Sequence, residues 1–160
     1  MRRTGLVGVA VIVAVLAVTA GYGAGRPQDA GEQGGRVCSE ATLHGSYGIQ
    51  IQGTRPAPPP APAGSIESVI GVIVRHYDGA GQFTQTGNEK GSISGLAPLD
   101  RESFGTYQVN EDCTGAHNLQ IPGVPFPVTD RFVIVDHGRE VRNFVVSPTP
   151  VMVTGVSKKM

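Results

Sequence analysis

Four histidines, His44, His76, His117 and His137, are the side chains in this chain best suited to proton transfer or metal binding. None stands at a His-x-His or His-x-x-x-His spacing that would put two rings on one face of a strand or helix, so no metal site is expected. His137 falls in a predicted turn and the other three on predicted strands. The serines offer no nucleophile elbow: Ser46 lies in Gly-Ser-Tyr, Ser103 in Glu-Ser-Phe, and Ser92 and Ser94 in Gly-Ser-Ile-Ser-Gly, without a Gly-x-Ser-x-Gly turn. Asp112 beside Cys113 reads as part of a turn, as do Asp78 and Asp136. Glu67, Arg75, Glu140 and Arg142 are open cases, because each sits in or beside an apolar strand. A slip of one residue in register decides whether such a charge faces solvent or the interior. Any that faces inward must be paired or hydrogen-bonded, and would then be the first candidate for ligand contact or acid–base work.

The elements that must position these groups repeat every two residues. Leu43, Tyr47, Ile49 and Ile51 alternate with His44, Ser46, Gln50 and Gln52, and Phe132 and Ile134 interleave with Arg131, Val133 and Val135. Alternation rich in Val, Ile, Phe and Thr marks half-buried strands. Only a short helix near residues 39–42 is expected beside them. Turn clusters punctuate the strands: Asp78-Gly79-Ala80-Gly81, Asn88-Glu89-Lys90-Gly91, Asn110 to Gly115, and Asp136-His137-Gly138-Arg139. Such short links join antiparallel neighbours in order. The expected fold is therefore all-β, a closed or nearly closed antiparallel meander barrel of about eight strands. Glycines inside strands, at 45, 48, 71, 105 and 155, favour closure. The alternative is a two-sheet β-sandwich.

The chain opens with Arg2-Arg3, an uncharged apolar run over residues 6–20 and Val18-Thr19-Ala20, the form of a secretory signal peptide cleaved near Ala20. An uncleaved N-terminal anchor is the competing reading. Residues 21–36, rich in Gly, read as a disordered spacer, and residues 37–160 as a single domain. The expected location is therefore periplasmic or extracellular. Of 13 basic residues Arg2 and Arg3 leave with the signal, so 11 face 13 acidic ones, a formal charge of −2. So even a balance gives no support for nucleic-acid binding. In an oxidising compartment Cys38 and Cys113 are read as a disulfide, the competing reading being two reduced, buried cysteines. Residues 54–65, with five prolines, are expected as extended polyproline II unable to pair in a sheet. That stretch is read as a lid over one barrel mouth, a peptide-like ligand, or a tolerated surface insertion.

Cys38-x4-Leu43-x-Gly45-x-Tyr47-Gly48, Asp78-Gly79-x-Gly81 and Gly105-Thr106-Tyr107-x-Val109-x3-Cys113-Thr114-Gly115 together resemble a group of exported bacterial β-barrel proteins. Phe132-Val133-Ile134-Val135-x-x-Gly138-x-Glu140-Val141-Arg142 and Val153-x-Gly155 fit the same group. The resemblance implies a calycin-type barrel related to the allene oxide cyclase barrel. It carries no catalytic residue onto this chain. A small apolar ligand held inside the barrel is the first functional reading, with Tyr47, Phe104, Tyr107 and Phe132 as lining residues and no cofactor. An envelope structural or interaction module comes second, and a cyclase- or isomerase-like enzyme acting on a lipid-derived substrate third.

Overall fold

In a computed structural model the described residues are 37–160. The signal peptide expected over residues 1–20 and the spacer over 21–36 lie outside them. Nine strands follow one another: β1 (His44–Pro56), β2 (Ile66–Asp78), β3 (Gln82–Gly91), β4 (Gly95–Leu96), β5 (Arg101–Val109), β6 (Thr114–Gln120), β7 (Val128–Val135), β8 (Glu140–Ser147) and β9 (Met152–Lys159). Every pairing is antiparallel, and apart from the small β4 each strand joins its sequence neighbour. The last strand returns to the first, Tyr47 opposite Lys159 and Thr54 opposite Met152, so eight strands close a meander barrel and β4 hangs on β3 as an extra. Closure removes the free edges that an open sheet would leave. The expected barrel is the one observed, and the sandwich is not.

Closure at so small a radius needs places where one strand's ring can lie on its neighbour's backbone. Gly105 and Gly115 supply two of them. A Cβ on Gly105 would collide with the Phe83 ring and the Asn118 carbonyl, and one on Gly115 with the Phe132 ring and the Gln108 carbonyl. Gly115→Ala is therefore expected to overpack the interior and lower stability by about 2 kcal/mol with the β-sheet spectrum retained, as read from urea denaturation. Unchanged denaturation would show that Phe132 has room to move away.

One end of the barrel is plugged. Cys38 bonds Cys113 in the turn between β5 and β6, and a single 3-10 turn, Glu40–Thr42, lays the fully buried Leu43 across the opening. Tyr107 donates its hydroxyl to the carbonyls of Glu40 and Leu43, both at 3.0 Å, and Tyr47 donates to the Gly138 carbonyl. Beneath the plug Tyr77 packs edge-on to Tyr47 (5.2 Å between centroids) and Tyr107 (5.0 Å), an arrangement that adds to the burial of each ring.

Two expectations are corrected. Asn88-Glu89-Lys90-Gly91 is no turn, because β3 runs through to Gly91, whose missing side chain leaves room for the Glu67 carboxylate. Nor is the proline-rich segment extended throughout. Thr54, Arg55 and Pro56 pair in register with Ser68, Glu67 and Ile66. The remaining residues 57–65 fold back in turns closed by Ala57 N–H to Ser65 O, Ala61 N–H to Pro58 O and Ser65 N–H to Pro62 O.

Candidate functional site

Period-two alternation on two neighbouring pairs of strands, β2 with β3 and β6 with β7, aims a set of polar side chains into the lumen below the tyrosine layer. Arg75 and Gln85 are inward and directly or nearly opposed on β2 and β3, and His117 faces Asp130 across β6 and β7. Arg75 donates from Nε (2.8 Å) and Nη2 (2.6 Å) to Gln85 Oε1, and from Nη1 (3.2 Å) to Tyr77 Oη. Tyr77 Oη meets His117 Nε2 at 2.8 Å, and His117 Nδ1 meets Asp130 Oδ1 at 2.6 Å. Asn143 on β8 donates to Asp130 Oδ2 at 2.8 Å. One hydrogen-bonded chain, Gln85–Arg75–Tyr77–His117–Asp130–Asn143, thus crosses the barrel from wall to wall.

Its donors and acceptors assign themselves. A carboxylate only accepts, so His117 carries its proton on Nδ1 and gives it to Asp130. Nε2 then accepts from the Tyr77 hydroxyl, whose oxygen accepts from Arg75. Burial first, and the Arg75 cation second, push the His117 imidazole down to about 4 against the pull of Asp130, so the ring is neutral at neutral pH. Burial likewise raises the Tyr77 phenol, opposed by Arg75, and pushes Tyr47 up to about 12, helped by the neighbouring tyrosines. The His117 ring is stacked on Phe132 at 4.3 Å, and the Arg75 guanidinium sits 4.2 Å over Phe83. Among the described residues no carboxylate lies within 4.0 Å of Arg75. A buried cation is thus held by an amide, a phenol and a ring face, with three of its five N–H groups engaged.

Exposure separates the two sides of this chain. Tyr77 and His117 are 0% and 1% exposed, whereas Arg75, Gln85, Ser103 and Asp130 keep 5–7%. Farther from the plug, Ile51, Leu119, Val145 and Val153 belong to the inward series of their strands yet are only half-buried, while Ile73 and Val69 beside them are buried. The interior is thus less completely covered toward the end opposite the disulfide, where these apolar side chains and, above them, Arg75 keep some exposure. Part of that end is bridged by a second polar cluster. Glu67 accepts from Arg55 Nε (2.9 Å), Ser94 N–H (2.9 Å), Ser94 Oγ (2.9 Å) and Ile93 N–H (3.2 Å), and Arg55 Nη1 reaches Glu89 at 2.9 Å. Burial alone would raise the Glu67 carboxyl, but these donors outweigh it and hold it at about 2.

Of the four expected lining residues, the structure brings Tyr47, Tyr107 and Phe132 into the buried cluster under the plug. The two tyrosine hydroxyls are spent on backbone carbonyls and their rings meet the polar chain edge-on at Tyr77, whereas Phe132 stacks on His117. Phe104 is corrected: it is 57% exposed on the outer face. Residues three apart in a strand point to opposite faces, so Phe104 and Tyr107 could not both face inward. Glu67 and Arg75 are the inward members of the four open charges. Glu140 and Arg142 instead pair with each other at 2.7 Å beside the exposed Lys158. Sequence reasoning missed His117 as the hub, together with Asp130, Gln85 and Asn143. A signal existed for Asp130, which lies two residues before the inward Phe132 on the same strand. Among the described residues no group of three or more His, Cys, Asp or Glu could hold a metal ion, and no helix is long and apolar enough to cross a membrane. No protein-family model matches this chain, and no curated protein or solved structure is detectably similar to it. Its chemistry rests on this geometry.

Proposed function

We propose that the protein is exported and that its barrel binds a small, mostly apolar molecule, whose one hydrogen-bond acceptor meets Arg75 on the floor of the half-open lumen. The single observation that carries this reading is Arg75 itself. It is a nearly buried cation without a carboxylate partner among the described residues, placed where an apolar wall of Ile51, Leu119, Val145 and Val153 gives way to polar groups. Pockets for small ligands pair mostly apolar walls with a few such convergent donors. Export is supported by the N-terminal sequence pattern and by a disulfide of the kind that persists in oxidising compartments. Burial of Tyr77 and His117 behind Arg75 favours holding a ligand over turning one over, since a catalytic acid or base must touch what it protonates.

The test is titration with cis-parinaric acid, a fluorescent carboxylate with an apolar chain. Saturable enhancement is expected, lost in Leu119→Trp, which fills the apolar wall, and weakened about tenfold or more in Arg75→Met, which keeps the stem and removes the donors. No enhancement with the oxidised, folded barrel would overturn the reading, as would equal binding by Leu119→Trp.

A further inference from the structure

One strand is apolar on both faces. On β2, Val69 and Ile73 are buried in the interior, yet Ile70, Val72 and Val74 between them are 61%, 62% and 48% exposed. A near-continuous aliphatic run is the pattern of a strand covered on both sides. Its outer neighbours do not share it: β3 presents Thr84, Thr86 and Asn88, and β1 presents Gly48 and Gln50. The outer surface here is a groove of about 570 Å³ running over β9, β1, β2 and β3. Its middle is apolar, with Val72, Val74 and Val156, and its two flanks carry opposite charges. Lys158 stands at the β9 side and Asp100 at the β3 side.

We propose that this face pairs with the same face of a second copy of the chain, forming a two-fold symmetric dimer. The proposal is independent of what the lumen holds. A two-fold contact requires a surface complementary to itself. Consider an axis lying between the facing sheets and running along β1 and β2. It exchanges left and right flanks and keeps height along the strands. Lys158, Gly48, Val74 and Thr86 share one height, since Lys158 pairs with Gly48, Gly48 with Val74 and Val74 with Thr86. The same axis therefore sets Gly48 opposite Val74 of the second copy. Gly48 has no side chain of its own, and the Met160 side chain that flanks its position, 4.0 Å from where a Cβ would stand, is 79% exposed. Lys158 falls opposite the β3 flank, where Asn88 Nδ2 donates to Asp100 Oδ1 at 3.2 Å, two residues along from Thr86 and within reach of a lysine side chain. Lys158 is free to turn that way. It is 75% exposed, and its present partner Glu140, at 3.7 Å, already holds Arg142. Valine, glycine and both charges are thus repeated with the same symmetry.

Sedimentation velocity of the oxidised chain over a wide concentration range tests it. A monomer–dimer equilibrium is expected, with association weakened about a hundredfold or more by Val72→Lys, which forces two like charges into the centre of the contact. Lys158→Glu and Asp100→Lys should each weaken it about tenfold, and the double variant should restore it. Circular dichroism checks that each variant keeps the barrel. Three outcomes overturn the proposal: a monomer at every concentration, a dimer indifferent to Val72→Lys, or a different protein held on this face with no self-association. Loss of parinarate binding with the dimer intact would strike at the lumen reading alone.

Discussion

Reduction of the Cys38–Cys113 bond is expected to lower the melting temperature by roughly 15 °C and to leave the β-sheet spectrum in place. The bond closes a loop of 75 residues, for which restriction of the unfolded chain is worth roughly 4 kcal/mol. That is a large share of the 5–15 kcal/mol by which whole domains are typically stable. The barrel's hydrogen-bonded ring, however, runs through β1 to β9 and back to β1 without using the bond, so the sheet has no reason to dissolve when it is cut. What loosens is the plug. Leu43 and the 3-10 turn would then be held by the Tyr107 and Tyr47 hydroxyls and by Cys38 N–H to Glu111 O at 3.2 Å. Calorimetry with and without reductant, with Cys38→Ser/Cys113→Ser as a second route to the same state, checks the effect. Equal melting in both would show that the unfolded chain is no freer without the bridge.

That the two cysteines meet was legible from composition and export pattern, as was the order of strands from their turns. Both are local or topological signals, and a meander asks for nothing more. The lumen was harder to read because facing depends on parity. Tyr47, Phe104, Tyr107 and Phe132 were all chosen as aromatics on predicted strands; three of them are buried, and Phe104 is excluded by the parity that Tyr107 imposes on its own strand. Arg75 and Glu67 announced themselves only as charges in apolar strands. His117 could not announce itself at all. Its partners Tyr77 and Asp130 lie 40 and 13 residues away in sequence; Asp130 meets it through the register of β6 on β7, and Tyr77 only because the closed barrel brings separate walls together. The proline-rich segment misled for the opposite reason. Proline composition argues against sheet pairing and for extended chain, but the pairing of Arg55 with Glu67 draws its first three residues into the sheet and the rest folds back in turns.

The hub His117 should make the protein acid-sensitive in a window of its own. Its ring is 1% exposed and titrates near 4 in the folded chain against an ordinary 6.5. A histidine whose folded value is depressed binds its proton more readily when unfolded. Stability therefore falls as pH drops from about 6.5 to about 4, and the histidine adds no further slope below that. The difference corresponds to roughly 3 kcal/mol across the window. Glu67 acts lower down: its carboxyl, held at about 2 against 4.5, gives stability that is present above 4.5 and lost as pH falls toward 2. The two phases can be told apart by substitution. In His117→Gln the amide can donate to Asp130 and accept from Tyr77 without titrating, so the upper phase should vanish while the lower one stays. His117→Leu removes both bonds and leaves the Asp130 carboxylate and the Tyr77 hydroxyl facing an apolar side chain, which is expected to cost about 3–5 kcal/mol at neutral pH. Urea denaturation of the three proteins from about pH 7 down to about pH 2 measures both phases and the loss at neutral pH. A wild-type slope that survives in His117→Gln would place the titrating group elsewhere. A His117→Leu protein as stable as the wild type would mean that the chain from Gln85 to Asn143 fills the lumen without holding its walls together.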